Sequence, residues 1–493
     1  MMTRVTSMHT RAEAATMRCS LTRVAPLALF LVAMVACSPG DIVGSGDLPG
    51  NILDPAAAKT PAGALAAYHG ALVQLSLAFA GDETKFGGDA SYVATSGLLS
   101  DELQTGDLGA PVGTSSSTEL VDARTLPEYT DPSFEPAINY RPTYSALQAV
   151  RGQAREAMGL LAAYAPDSPQ ALRGQLYAVQ AYSEVMLSEL FCSGIPLSTV
   201  DYDGNYTLKP GATTDEVLQH AIVLFDSALA LTADSERVMN LEHVGRARAL
   251  LDLGRFADAA QEVGGIGTDF RYAEVYSDQF ATASQYGSLG YISPGFAWFG
   301  SVSDREGNTG LSYVSSGDPR TLATPSGGTN HYGNTLLYPN KLSQNGEGIV
   351  VLADGIEARL IEAEASLQTQ NSSWLSTLNT LRTSCTDAES CPTPAPPGTG
   401  GVSGLPPLTD PVNSDARVDL LFQERAMWLF LTGHRQGDLR RLIRQYGRTP
   451  SDVYPSGSYR GGSGVYGSDI TAPIPASERA FNPQFTGCKN RGA

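Results

Sequence analysis

Ala247-Arg248-Ala249-Leu250-Leu251-Asp252-Leu253-Gly254-Arg255-Phe256-Ala257-Asp258-Ala259-Ala260 decides the fold class. Small residues and leucines share one face of a helical wheel, a Leu-Gly-Arg turn follows, and alanines open a second helix. Alanines let two antiparallel helices approach closely, and glycine ends the first of them in a left-handed cap. The segment therefore predicts a helical hairpin, and with it a mainly α fold.

Working towards the N-terminus, Thr213-Thr214-Asp215-Glu216 forms a capping box ahead of Val217, Leu218, Ala221, Ile222, Phe225 and Leu229, which recur at helical spacing. Alanine-rich amphipathic stretches at Ala62 to Ala80, Tyr144 to Tyr164 and Leu172 to Phe191 predict three more helices. Towards the C-terminus, helical patterns span Leu352 to Leu367, Trp374 to Arg382, Ala416 to Leu431 and Asp438 to Tyr446, with a Pro/Gly loop at Pro392 to Pro411. The 247–260 hairpin resembles a tetratricopeptide helix pair, but it stands alone, so a regular array is not expected.

The first 36 residues are read as a signal peptide. Arg18 and Arg23 precede the apolar run Ala25 to Ala33, and Met34-Val35-Ala36-Cys37 resembles a bacterial lipobox, in which the cysteine is acylated and becomes the first residue. The run is far short of the ~20 residues needed to span a bilayer. Met17 is an alternative start. Residues 38–60, rich in Gly, Pro and Asp, predict a flexible tether between a lipid on Cys37 and a single domain over 61–493. Ser38 after the cysteine, where the enterobacterial sorting rule would need Asp for retention, directs the lipoprotein to the outer membrane. The membrane is then touched through the lipid only.

Four cysteines remain in the body of the chain. Outside the cytoplasm an even count favours disulfides. Cys385 and Cys391 flank a short polar loop and form the expected local staple, which leaves Cys192 with Cys488 by elimination. Zinc is disfavoured because there is no Cys-x-x-Cys and no nearby histidine.

The whole chain carries a net charge of −18, and without residues 1–36 it has 29 basic and 50 acidic residues, a net −21. Nucleic acid and anionic lipid are excluded as favoured partners. Gly462 to Gly467 matches a dinucleotide fingerprint by letter, but Pro473 and Pro475 follow and no βαβ unit surrounds it. Asp201-Tyr202-Asp203-Gly204-Asn205 begins like a calcium loop, yet Ala212 stands where the bidentate glutamate belongs. No His-Glu-x-x-His and no Gly-x-Ser-x-Gly occurs. No catalytic residue, metal or cofactor is expected.

Three C-terminal features then carry a family resemblance: Ile356 to Ala365 with Leu378 to Arg382; Glu424-Arg425 leading through Gly433-His434-Arg435 to Asp438-Leu439-Arg440-Arg441; and Pro473-Ile474-Pro475 with Glu478 and Asn482-Pro483. With the lipobox, Gly194-Ile195-Pro196-Leu197 and Asp318-Pro319-Arg320 in order, the chain resembles the SusD/RagB family of outer-membrane nutrient-binding lipoproteins. The resemblance implies packed helices with tetratricopeptide-like pairs, a loop-rich ligand face, a glycan or peptide ligand, and a TonB-dependent, SusC-like transporter as partner. Trp428, Thr432 and Gln436-Gly437 depart from the family pattern and mark a divergent branch. Glu424, Arg425, Arg435 and Asp438 are close enough along the chain to form a partly buried ion network, an architectural role. A helical-repeat scaffold and a surface glycoside hydrolase are the competing functions. Fifty acids make chance carboxylate pairs inevitable, so the hydrolase has no motif of its own.

Residues 264–346 hold twelve of the 39 aromatics. Sugar rings stack on such faces, which a plain scaffold does not require. Trp298, in Gly295-Phe296-Ala297-Trp298-Phe299-Gly300, is the first candidate for ligand contact, followed by Tyr291, Tyr313 and Phe296.

Overall fold

The structure, a computed structural model, describes residues 55–81, 91–106, 117–133, 140–276, 300–330, 332–341, 348–385, 402, 405–459 and 464–493. The helices used below are α1 (Pro61–Ala80), α2 (Tyr92–Leu99), α3 (Tyr140–Tyr164), α4 (Gln170–Leu190), α5 (Thr214–Leu229), α6 (Glu236–Asp252), α7 (Phe256–Val263), α8 (Gly355–Gln368), α9 (Ser373–Ser384), α10 (Ser414–Trp428) and α11 (Arg435–Arg444). Neighbours in sequence pair in space: α3 lies between α1 and α4, α5 between α4 and α6, α7 between α6 and α8, and α9 against α8.

Local chemistry sets the helix ends. Thr213 and Glu216 complete the capping box of α5, with Thr213 N–H to Glu216 Oε2 at 2.7 Å and Glu216 N–H to Thr213 Oγ1 at 3.2 Å. At the end of α6, Gly254 takes φ 73°, its N–H reaches Leu251 O and the Arg255 N–H reaches Leu250 O, both at 2.9 Å. That double bond is the Schellman arrangement. Close approach is real: a Cβ on Gly245 of α6 would lie 2.5 Å from Phe225 and 2.6 Å from Tyr182. The helical hairpin read from residues 247–260 is therefore present, joined to α5 by the same tight packing.

Helix α4 is the axis of the core and is buried on nearly all sides. Its acids are paired, as burial demands: Glu184 with Arg151 at 2.9 Å and His220 at 2.6 Å, and Glu189 with Arg248 through two bonds of 2.6 and 2.7 Å. Below α4, Cys192 bonds Cys488 with Cα atoms 5.8 Å apart, joining this helix to the C-terminal tail. Cys385 is disulfide-bonded too, while Cys391 lies outside the described residues. So do Cys37, the signal segment and most of the tether.

The strands form antiparallel pairs: β1 (Leu103–Thr105) with β3 (Gly300–Val302), β2 (Arg271–Tyr276) with β6 (Gly348–Asp354), and β4 (Ala323–Thr329) with β5 (Thr335–Pro339). The helix expected from Leu352 begins later. Gly348–Asp354 is strand β6, and Asp354 caps α8 by accepting from Glu357 N–H at 2.8 Å. A short apolar run fits a buried strand as well as a helix turn, and here the partner strand decided. Helix α11 starts at Arg435, so Asp438 sits within its first turn instead of opening it.

Candidate ligand-binding face

The register of β1 and β3 puts Thr105 opposite Gly300. Gly106 and Gly300 border segments 107–116 and 277–299, which lie outside the described residues. Trp298, Tyr291 and Phe296 fall in the second segment, outside the described residues.

Tyr313 is a correction. It is fully buried, its hydroxyl donates to Asp101 Oδ1 at 3.3 Å, and its ring stacks on Phe430 at 5.0 Å. A ring enclosed in this way is core material and presents no face to a ligand. Tyr332, by contrast, is half-buried at the β4–β5 turn and donates to Glu119 at 2.6 Å.

Under the edge sits a cluster that sequence reasoning missed. Asp122 ends a short helix, Ser117–Asp122, and accepts from Thr105 N–H at 2.6 Å and from the Tyr459 hydroxyl at 3.1 Å. Glu306 accepts from Ser303 Oγ and the Tyr466 hydroxyl, each at 2.8 Å. The two carboxyls lie close enough to interact, and both are buried. Two ionised carboxylates in contact repel, so the pair holds a proton. Burial, then the charge of Asp122, pushes Glu306 well above the usual carboxylate range; burial raises Asp122 to about 6 against the donors that favour its charge. Tyr459 and Tyr466 meet edge to face at 5.1 Å and cover the pair. Being in contact and sealed, these acids lack the separation of about 5 Å or more that glycoside hydrolysis needs.

The Glu-Arg to Asp-Leu-Arg-Arg residues are buried, but they form three sets and no single network. Glu424 receives Arg320 and Arg382; Arg425 pairs with Asp438 through two bonds of 2.9 Å; Arg435 grips Asp101 at 2.6 and 3.0 Å. Adjacent residues on a helix project about 100° apart, which turns Glu424 and Arg425 to different sides of α10. Arg441 links Asp438 at 2.7 Å to Glu364 at 3.0 Å, so this stretch bolts α8, α10 and α11 together. The departures fit in. Trp428 donates to Glu424 at 3.2 Å and carries the Arg320 guanidinium 4.8 Å above its ring, and a Cβ on Gly437 would already touch Glu189 at 3.0 Å.

Asp101 and Glu102 had no sequence signal. Glu102 accepts from Leu431 N–H at 2.9 Å, and burial raises it to about 8. At Asp201, the carboxylate accepts from the backbone N–H groups of Asp203 and Asn205, and Asp203 pairs with Lys59 at 2.9 Å, so the calcium-like loop is a self-contained turn. Among the described residues no group of three or more metal-ligating side chains occurs.

No family model and no curated protein matches the sequence. Solved structures do. A SusD superfamily protein from Bacteroides thetaiotaomicron aligns with TM-score 0.62 at 13% identity, covering 87% of this chain and 100% of that one. A SusD superfamily protein from Bacteroides vulgatus gives 0.59 at 16%, covering 88% and 100%. This is the SusD fold. Surface glycan-binding protein A from B. thetaiotaomicron, in complex with laminarihexaose, has the same SusD fold, with TM-score 0.60, 14% identity and coverage of 87% and 99%. At such identities the SusD likeness speaks for architecture.

Proposed function

We propose that this chain is a cell-surface lipoprotein, anchored through Cys37, which captures a glycan on its aromatic loops and delivers it to a TonB-dependent, SusC-like outer-membrane transporter. The observation that supports the reading is a fold shared over nearly its full length with a protein solved in complex with laminarihexaose. Trp298, Tyr291 and Phe296 stand in the sequence segment that precedes Gly300 and are the candidate contacts. An acid-rich chain favours a neutral ligand over a phosphorylated one. In this reading the protein binds its glycan without cutting it, and the buried Asp122–Glu306 pair is not a hydrolytic one.

Calorimetry of the mature chain against laminarihexaose, maltohexaose and a peptide mixture, with mass analysis of each probe after incubation, tests the reading. Saturable binding of an intact saccharide is expected. Binding of peptides alone, or cleavage of a saccharide, overturns it. Cys37→Ala should move the protein from the membrane fraction to the soluble one, and fatty-acid label retained on that variant would remove the anchor.

A further inference from the structure

Tyr206 and Phe481 are 77% and 81% exposed, and no other phenylalanine, tyrosine or tryptophan among the described residues stands out in this way. One such ring on a surface is ordinary. Here both come to the same place. Ile195–Pro196 pairs with Gly211–Ala212 and Thr199–Val200 with Tyr206–Thr207, which makes residues 195–212 a two-stranded ribbon. Phe481 ends a short helix, Ala476–Phe481, and the chain just after it is tied to that ribbon. Asn482 Nδ2 donates to Lys209 O at 2.9 Å, and Gln484 Nε2 to Leu208 O at 3.1 Å.

The same ribbon receives the chain as it enters the fold. Lys59 donates to Asp203 Oδ1 at 2.9 Å in the turn of the ribbon, and its ammonium lies 5.9 Å from the centre of the Tyr202 ring. Tyr202 is pressed onto α3, where a Cβ on Gly159 would lie 2.6 Å from it, so the turn is a fixed part of the surface. Residues 38–54, between the Cys37 anchor and Pro55, reach at most about 60 Å when fully extended. Along the chain, the ribbon is thus the described surface that the anchor holds nearest to the bilayer.

Charge agrees with this placement. Of the four lysines among the described residues, Lys59, Lys209 and Lys489 lie on the ribbon or on segments bonded to it, and all three are exposed; the Lys489 N–H reaches Ser193 O at 2.7 Å at its base. The acids of the turn are occupied, Asp203 by Lys59 and Asp201 by the N–H groups of Asp203 and Asn205. The net −21 of the chain without residues 1–36 opposes an anionic surface, but charges beyond about 8 Å are screened at physiological salt, which leaves the local lysines to decide.

We infer that the ribbon surface docks on the phospholipid bilayer that carries the anchor, with the Tyr206 and Phe481 rings entering the headgroup region and the lysines meeting lipid phosphates. Aromatic rings gather at that boundary, and lysine stems lie along it with the ammonium in water. A sugar or a protein partner would also cover two rings, but neither accounts for the entry of the tether at the same ribbon. The inference rests on the lipoprotein reading and adds a second contact, one that fixes which side of the domain faces the membrane.

The test uses the lipidated protein in vesicles of phosphatidylethanolamine and phosphatidylglycerol, with and without a doxyl-labelled lipid as quencher. Phe481→Trp, Tyr206→Trp and Val223→Trp are made singly, Val223 being 58% exposed on α5, and the added emission is read as the difference from the unsubstituted protein. The doxyl lipid should at least halve the added emission at positions 481 and 206 and leave that at 223 unchanged. Equal quenching at all three positions, or none at 481 and 206, overturns the inference. A response of the tryptophan at 481 to laminarihexaose, with no quenching by lipid, would assign the rings to sugar instead. Mass analysis of the N-terminal peptide from the same sample keeps the two readings apart: an acylated Cys37 with unquenched rings defeats the docking alone, and an unacylated chain defeats both.

Discussion

Arg320 and Glu424 form a buried two-pronged ion pair, with bonds of 2.8 and 3.1 Å, that ties the loop-rich region to α10. Arg382 shares the same carboxylate at 2.6 Å, and Asp318 holds Arg320 from the other side at 2.7 Å. Glu424→Gln keeps the shape but leaves two buried guanidinium groups short of a counter-charge. Breaking such a pair from one side typically costs about 3–5 kcal/mol. Urea unfolding should show a loss of that size, and a loss below about 1 kcal/mol would mean that the pair is not what holds the loops.

The Asp122–Glu306 pair makes stability depend on pH. Both groups have raised pKa values in the folded chain, so the folded state holds their protons more tightly than the unfolded one. The resulting stabilisation is complete below the ordinary carboxylate range and is lost as pH rises, for Asp122 through about 6. Glu306→Gln cannot titrate and removes the charge that opposes Asp122. Its stability relative to the natural protein should therefore increase from pH 5 to pH 8, by up to about 1.4 kcal/mol per pH unit per proton. Denaturation curves at several pH values that run parallel for the two proteins would refute the shared proton.

Gly245 is a packing requirement. Its missing Cβ is what lets α6 sit against Phe225 and Tyr182. Although alanine is the better helix former, Gly245→Ala should destabilise by about 1–3 kcal/mol, the usual cost of overpacking. Thermal melting decides, and a gain in stability would show that the rings move aside freely.

Trp298→Ala should weaken glycan binding by about 1–3 kcal/mol, as a stacked hot-spot residue does, with little change in melting temperature. If the indole instead fills the core, the same change costs about 3–5 kcal/mol of stability. Calorimetric titration beside melting on one sample distinguishes the two, and unchanged affinity with a large melting loss would remove Trp298 from the site.

The sequence by itself determined the helical layers of this protein. The Thr213 capping box, the Gly254 turn and the apolar spacing of α5 depend on residues within a few positions of one another, because helix hydrogen bonds join i to i−4. It also marked the Glu-Arg and Asp-Leu-Arg-Arg residues as architecture. It did not show that they divide into three sets, that Tyr313 turns inward onto Phe430, or that Val350 to Ala353 lie in a strand. Those outcomes were decided by the tertiary structure, as were the pairs Arg435–Asp101, Arg320–Glu424 and Asp122–Glu306. The physical reason is that a buried charge is defined by what covers it and what neutralises it. Both come from segments far away in the chain, which leave no periodic trace in the residues on either side.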